Sequence, residues 1–589
     1  MKNIFFALKA AWKYEKKVYI YLAIYAIFAA AVPFVHLFFV RWVFQALLND
    51  SSLTEVFLLL ISFFIAAVGI NFIASWVKRA YQPSLLTIRQ SLMHVMQEKS
   101  MTTEFVNTEN PSFLNETHAA FQTMAINDAG VEGFLHKIFI VFAQSITLIA
   151  YFLILGSLNI WILLLLLCNA VASYFVTKKV KNYEVKKQPK INKTEREMNH
   201  WVQVMTDISY AKDIRLYSMS KKVLDIFDGH IATRSKINAD IWKHKLWALL
   251  IEAGLFLIGE GIAYTYLISK VTQQVLNIAD FSFYFSLISV FVGTLLAMFG
   301  ELSTLPKYLN EISIFRNYIN KEDAVCKKNI ELPALPYVLQ LNDVSFRYPG
   351  ADKDTLKNIT LNIPAGQKLG IVGHNGAGKT TLIKLITGLY TPTKGTITLN
   401  GIDIANFDKK EYLSVVSAVF QDTHIFAYSV AENIAFAEQA DIYAVEQALK
   451  KAGIKRMVEE LPKGMGTPLG KALSEDGIEL SGGQQQRISL ARALYKDGAI
   501  VVLDEPTAAL DPIAEHEIYM HFQEMVKGKT AIFVSHRLAS TYFCDKIAMF
   551  EQGALIEYGD HQTLLRKNGK YADMFNVQAQ YYQEEENVQ

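Results

Sequence analysis

Cysteine is nearly missing from this chain of 589 residues. Cys168, Cys326 and Cys544 stand far apart, without Cys-x-x-Cys or Cys/His ligand spacing, which excludes a disulfide framework and a zinc finger. Charge is scarce as well: Asp, Glu, Lys and Arg make up 19% of the residues and nearly cancel at a net +2. The basic footprint of a nucleic-acid-binding protein is therefore absent. No internal repeat with a period of about 20–50 residues occurs. The only biased tract is the acidic, Gln-rich tail after Gln578. The N-terminal stretch MKNIFFALKAAWKYEKKVY is basic but lacks a short apolar core followed by a small-residue cleavage site, so the first apolar span is expected to be retained.

What the chain does have is apolar bulk. Hydrophobic residues reach 51% and aromatics 12%, too greasy for an ordinary soluble enzyme, and the length exceeds a single core. About six runs of roughly 20 apolar residues, long enough to cross a bilayer as helices, are confined to the first half. They lie near Val18 to Leu47, Glu55 to Val77, Lys137 to Gly156, Trp161 to Thr177, Leu246 to Ser269 and Phe281 to Leu302. Basic loops tend to stay in the cytoplasm. Lys13, Lys16 and Lys17 precede the first run, Lys78 and Arg79 follow the second, and Lys178 to Lys193 follow the fourth, whereas Asn49 to Thr54 and Ser157 to Asn159 carry no Lys or Arg. Both termini are thus expected in the cytoplasm, in a cell-membrane protein of several spans. The long connections Tyr81 to His136 and Lys178 to Lys245 lack the composition of a disordered linker and read as helices running on into the cytoplasm. A polar stretch with Pro333 and Pro336 then opens an α/β composition. The expected division is a membrane domain over 1–320, a linker over 321–337, an α/β domain over 338–580 and a polar tail over 581–589.

The second half carries the chemistry. A short apolar strand ending at Ile371 and Val372 leads into Gly373, His374, Asn375, Gly376, Ala377, Gly378, Lys379, Thr380 and Thr381, and then into a helix-like run. This is a phosphate-binding loop: glycines let backbone N–H groups close around phosphate oxygens, the helix N-terminus adds its dipole, Lys379 reaches the terminal phosphates, and Thr380 is suited to Mg²⁺. The run Ala499 to Leu503 reads as a buried strand ending in Asp504 and Glu505, assigned as metal ligand and general base. In the fifth apolar run Glu252 and Glu260 are eight residues apart, about two helical turns. Intramembrane carboxylates are costly and mark candidate substrate contacts, here for a cationic or hydrogen-bonding molecule; bonding across helices is the structural alternative. The same alternatives apply to His36 and Arg41.

Between loop and carboxylates lies Leu480-Ser481-Gly482-Gly483-Gln484-Gln485-Gln486-Arg487, and with this segment the chain resembles the ATP-binding cassette (ABC) transporter family. Further matches fall in family order: Tyr348 in Val344 to Pro349, Gln421 in Val419 to Asp422, Asp511 in Ala509 to Asp511, and His536 in Val534 to Arg537. The resemblance implies that Tyr348 stacks on adenine, Gln421 senses Mg²⁺ and the attacking water, Asp511 links two sites, and His536 contacts the γ-phosphate. It also implies that Ser481 to Gln484 cap the ATP held by a partner's loop. The expected fold is a transmembrane domain of about six helices, of exporter type, followed by an α/β P-loop nucleotide-binding domain. ATP and Mg²⁺ are the expected cofactors, and a second half-transporter, identical or not, and membrane lipid the expected partners. ATP-driven export of a hydrophobic or amphipathic peptide, lipid or drug is the leading expectation; an importer on the same fold and an ATP-gated channel or sensor are the alternatives. Glu104 to His118 and Asp207 to Tyr217 occupy the two turns where family members carry coupling helices. Where many exporters have Gly-Glu-Arg-Gly, this chain has Ser474-Glu475-Asp476-Gly477.

Overall fold

The structure, a computed structural model, describes residues 1–49, 51–321, 330–437, 439–471, 473–505, 526–535 and 538–586. It falls into two units, one of residues 1–102 and 115–321, the other of residues 103–114 and 322–589.

The first unit is all helical. A short helix α1 (Lys2–Tyr14), which lies outside the expected apolar runs, buries Ala7, Ala10 and Ala11. The six long apolar helices follow as α2 (Lys17–Leu48), α3 (Leu53–Thr102), then past α4 (Phe105–Thr108) and α5 (Pro111–Ala125) as α6 (Gly130–Leu158), α7 (Ile160–Thr206), then past α8 (Ala211–Leu216) as α9 (Ser220–Thr272) and α10 (Ile278–Ile319). Each contains one of the expected spans. With 50 residues, α3 is about 75 Å long at 1.5 Å per residue, more than twice the roughly 30 Å of a hydrocarbon core. The two long connections are thus helical continuations, as their composition indicates. In α3 the most apolar stretch has no buried residue, and Phe57, Phe64, Ile65 and Phe72 all point outward, as lipid-facing side chains do. The inner faces of α2, α6, α7, α9 and α10 share a core around Leu37, Tyr151, Leu166, Leu267 and Phe291. Polar ties cross the helices where a lone charge would be costly: Arg41 pairs with Asp280 at 2.8 Å, Arg89 with Glu132 at 3.1 Å and Lys137 with Glu301 at 2.7 Å. Arg41 therefore has a structural partner that lies 239 positions away in the sequence.

The second unit has two sheets. Strands β1 (Leu339–Phe346), β2 (Leu356–Ile363), β4 (Lys394–Leu399) and β5 (Ile402–Asp403) form an antiparallel sheet in the order β2-β1-β4-β5. Strands β3 (Lys368–Gly373), β6 (Val416–Val419), β7 (Ile500–Asp504), β8 (Thr530–Val534), β9 (Lys546–Glu551) and β10 (Ala554–Gly559) form the larger sheet, in the order β10-β9-β3-β8-β7-β6, parallel except at the β9/β10 edge. Parallel strands are buried on both faces, and side chains alternate between them. Ile500 and Val502 enter the core shared with the antiparallel sheet, while Val501 and Leu503 enter the core under the helices α13 (Val430–Ala435), α14 (Ile442–Lys451) and α16 (Gly482–Lys496). That double burial is why Ala499 to Leu503 reads as an unbroken apolar run.

Candidate nucleotide-binding site

The carboxyl ends of the parallel strands collect the chemistry, the general position for ligands in open α/β sheets. Strand β3 ends in Gly373, the first residue of the phosphate loop, and α11 (Lys379–Ile386) begins where the loop closes. Gly373 has φ +150°, and a Cβ built on it would stand 2.3 Å from the Phe550 carbonyl oxygen of neighbouring β9. The close approach of two backbones thus demands glycine at this position. Lys379 is only 5% exposed and turns back on its own loop, its Nζ donating to the carbonyls of Gly373 at 2.9 Å and His374 at 3.2 Å. A buried ammonium held at a glycine-rich loop that opens a helix fits a phosphate that would complete the cradle. His374, Asn375, Gly376 and Thr380 face solvent, while Ala377, Gly378 and Thr381 are buried against the unit.

Parallel pairing aligns the other residues with this loop. Asp504 ends β7 and is 1% exposed, with Glu505 next to it. Both carboxylates act electrostatically on Lys379, whose pKa burial lowers and these charges raise, leaving it below the usual lysine value. For Glu505, burial holds the carboxyl above the usual carboxylate range, with Lys379 opposing. Glu505 also has φ +52°, uncommon outside glycine; its N–H donates to Val534 and its carbonyl accepts from Gln486 Nε2 at 3.2 Å. In the β6/β7 pairing Val419 stands opposite Leu503, so Gln421 and Glu505 each follow two residues beyond that pair. A hydroxyl (Thr380), a carboxylate (Asp504) and an amide oxygen (Gln421) are hard donors of the kind Mg²⁺ takes beside phosphate oxygens. Tyr348 is held by a 3.0 Å hydrogen bond between its hydroxyl and Thr381 Oγ1. Asp511 and His536 lie outside the described residues.

Ser481 to Gln484 form a different local structure. Ser481 is the N-cap of α16 in a capping box: Ser481 Oγ accepts from Gln484 N at 3.3 Å, and Gln484 Oε1 accepts from Ser481 N at 2.8 Å. The pattern Ser-x-x-Gln before a helix is legible as such in the sequence. None of the described hydrogen bonds joins this segment to the phosphate loop of the same chain. The altered segment before it keeps its glycine for a steric reason: a Cβ on Gly477 would meet the Gly470 carbonyl oxygen at 1.9 Å, and Asp476 pairs with Lys463 at 3.4 Å.

In the membrane helices, Glu252 is half-buried and accepts a 2.5 Å hydrogen bond from Thr177, while Glu260 is 5% exposed and accepts from Tyr264 at 2.9 Å. The two carboxylates thus take separate partners. Sequence reasoning did not find Glu109, Lys384 and Tyr390, which meet behind the phosphate loop: Glu109 Oε1 accepts from Lys384 Nζ at 2.7 Å, and Tyr390 Oη donates to Glu109 Oε2. These hydrogen bonds hold the Glu109 carboxyl below its usual range against the opposing effect of burial.

Comparison with known proteins agrees with this geometry. The ABC transporter family model matches residues 356–508, a stretch running from the start of β2 through the phosphate loop and Ser481 to the Asp504–Glu505 pair. The subtilin transport ATP-binding protein SpaT of Bacillus subtilis is 28% identical over 588 residues, covering 98% of this chain and 94% of the relative. An ATP-dependent lipid A-core flippase of Paraburkholderia xenovorans is 37% identical over 245 residues, 41% of this chain and 40% of the relative. The fold is shared with a bacterial Atm1-family ABC exporter with ATP bound, at a TM-score of 0.78 and 20% identity, over 96% of this chain and 98% of that one. With a phosphate loop, two strand-end carboxylates and the Ser481 segment in one α/β unit that follows six membrane-length helices along the chain, the protein carries an ABC transporter ATP-binding domain and has the organisation of an exporter-type half-transporter whose ATPase activity drives transport.

Proposed function

We propose that this chain exports a hydrophobic or amphipathic cargo from the cytoplasm, as one half of an alternating-access dimer. The observation that carries the reading is the convergence of Lys379, Asp504 and Glu505 at the carboxyl ends of the parallel strands, in a chain that also holds six membrane-length helices. Tyr348 stacks on adenine, residues 373–381 hold the phosphates, and Thr380, Asp504 and Gln421 hold Mg²⁺, which when bound neutralises charge on the phosphates. Glu505 takes a proton from the attacking water, and His536 contacts the γ-phosphate. Ser481 to Gln484 close over the ATP of the partner subunit, and Asp511 links the two sites. Phosphoryl transfer is accelerated mainly by positioning and charge neutralisation, so no covalent step through the protein is required.

The distribution of Lys and Arg supports cytoplasmic termini and a cytoplasmic ATPase domain over residues 338–580, joined by the linker 321–337 and followed by a tail over 581–589. A second copy is the simplest partner. The large exposed side chains of Ile208, Leu216 and Tyr217, at the second cytoplasmic turn, support a role in subunit contact. For the cargo, a cavity of about 440 Å³ between α2, α6 and α10 is lined by apolar groups with Tyr25, Gln144, Thr147 and Thr294 among them, the mixture that small amphipathic ligands use. Glu252 and Glu260, on α9, are the charged candidates for cargo contact, and Glu252 is the more accessible of the two. Relatives named for subtilin transport, lipid A-core flipping and cyclolysin secretion support a peptide or lipid class of cargo.

Two measurements test this reading. Mg²⁺-dependent ATPase activity of the purified chain alone in lipid nanodiscs, rising with one member of a panel of peptides and lipids, supports a self-sufficient homodimer. A folded chain that binds ATP and hydrolyses none of it overturns the homodimer. Ser481→Ala is expected to lower turnover by about 10²-fold, the scale of losing one donor to a transition-state oxyanion, while ATP affinity at the chain's own loop stays within about twofold because none of the described hydrogen bonds joins the two segments. A parallel fall in ATP affinity would remove Ser481 from the partner's site.

A further inference from the structure

Residues 103–114 join α3 to α5 along the chain, yet they pack as part of the nucleotide-binding unit. The turn is fixed locally: Asn107 Nδ2 donates to Thr103 Oγ1 at 2.9 Å, Asn110 Oδ1 accepts from Ser112 N at 3.0 Å, and Pro111 occupies the first position of α5, where its missing N–H costs nothing. Phe105 and Val106 lie against the core that contains Phe346, Leu382 and Tyr390.

From this turn a continuous set of contacts leads to the place assigned to the adenine ring. The Phe105 ring meets Tyr390 edge-on, with centroids 5.7 Å apart and planes at 90°. Glu109 takes the Tyr390 hydroxyl on one carboxylate oxygen and the Lys384 ammonium on the other. Lys384 stands one helical turn after Thr380 on α11. Tyr390, 3% exposed, meets Tyr348 edge-on at 5.6 Å and Phe346 at 5.0 Å. Tyr348 in turn shares a hydrogen bond with Thr381. Edge-to-face pairs are favoured at centroid separations of about 4.5–7 Å, a window that these ring contacts of Tyr390 all meet. An aromatic ring anchored at its hydroxyl, with ring neighbours around its body, is therefore a fixed wall against which the Tyr348 ring is set.

We propose that Glu109 and Tyr390 are positioning residues for nucleotide binding: Glu109, carried on the turn between two membrane helices, anchors Tyr390, and Tyr390 sets the Tyr348 ring for the adenine base. Neither side chain touches the nucleotide. A displacement of the turn would withdraw Glu109 from Tyr390 and Lys384 together, loosening the adenine platform and the helix behind the phosphate loop in one movement. ATP affinity thereby reports the position of this turn. The proposal rests on Tyr348 as the adenine platform, and its test separates the two.

The test is a double-mutant cycle on the full-length chain in lipid nanodiscs, with the ATP dissociation constant measured by equilibrium binding. Tyr390→Phe removes only the hydroxyl that Glu109 holds, and it is expected to weaken ATP binding about three- to tenfold, the scale of one ordinary net hydrogen bond. In a Tyr348→Ala background, itself weaker in ATP binding, the same change is expected to have no further effect, because the residue through which Tyr390 acts is gone. Glu109→Gln, a second variant in case the first misfolds, follows the same pattern. An unchanged dissociation constant in Tyr390→Phe and Glu109→Gln, with Tyr348→Ala still weakened, overturns this inference and leaves Tyr348 as the platform. Equal fold-changes in both backgrounds show a general structural effect and overturn it too. An unchanged constant in Tyr348→Ala overturns both the platform and the inference.

Discussion

Replacing Glu505 by Gln is expected to abolish steady-state ATP hydrolysis while ATP still binds. Gln keeps the size of the side chain at the end of β7 and, with it, the backbone contacts to Val534 and Gln486. It removes the one property a general base needs. Such proton transfer contributes about 10²- to 10⁴-fold, and kcat should fall by that factor. The charge facing Lys379 is lost as well, but Asp504 still acts on that ammonium, so the phosphate cradle keeps its electrostatic balance. Turnover and ATP binding, measured side by side on nanodisc samples, check this; a fall in binding of similar size would mean that Glu505 holds the loop rather than the water. The same carboxylate fixes a pH dependence. A base must be ionised to act, so activity rises with pH through its pKa. Burial raises that pKa despite Lys379, so the acid limb of kcat/KM, which reports the free enzyme, is expected above that of an exposed glutamate. The limb should vanish from whatever residual activity Glu505→Gln retains.

The second large effect is steric. Gly373→Ala places a methyl group 2.3 Å from the Phe550 carbonyl, at a φ of +150° that alanine rarely adopts. Neither partner is a flexible side chain: Gly373 pairs with Phe550 in the parallel β3/β9 ladder. The backbone must move, at a cost of about 1–3 kcal/mol for strain of this kind, and the carbonyl that now accepts from Lys379 moves with it. The expected result is loss of ATP binding together with a lowered unfolding temperature of the nucleotide-binding unit, followed by binding titration and differential scanning. Gly376→Ala is the useful contrast, because a Cβ there meets nothing within 4 Å and only its φ of +79° resists. Its ATP affinity should fall much less. Equal losses in the two variants would mean that the loop is limited by backbone conformation rather than by the approach of β9.

Local features were the legible ones. The phosphate loop, the strand ending in Asp504 and Glu505 and the Leu480 to Arg487 segment each depend on residues within a few positions of one another, and their residue types announce the backbone they need. The membrane helices were legible because apolar runs of bilayer length have few other uses, and their continuation beyond the bilayer because the connections lack helix-breaking composition. Partners distant in sequence were not legible. Arg41 and Asp280, or Glu109 and Tyr390 at 281 positions apart, meet only because helices and strands bring them together, and no period or spacing encodes such a pair. The intramembrane carboxylates divide along the same line: Thr177, 75 positions from Glu252, follows from packing, whereas Tyr264 stands one turn from Glu260 on the same helix, a spacing the sequence contains. Helix α1 escaped notice because its 13 residues mix charged and apolar side chains and fall below bilayer length.

The most direct test of the account is ATP-dependent uptake of fluorescent peptide and lipid cargo into inside-out membrane vesicles bearing this chain, with Glu505→Gln vesicles alongside. The account predicts accumulation in the vesicle lumen, or movement to its inner leaflet, that requires ATP and Mg²⁺ and is absent from the variant. ATP-dependent loss of preloaded cargo from the same vesicles, or hydrolysis accompanied only by ion conductance, would contradict it.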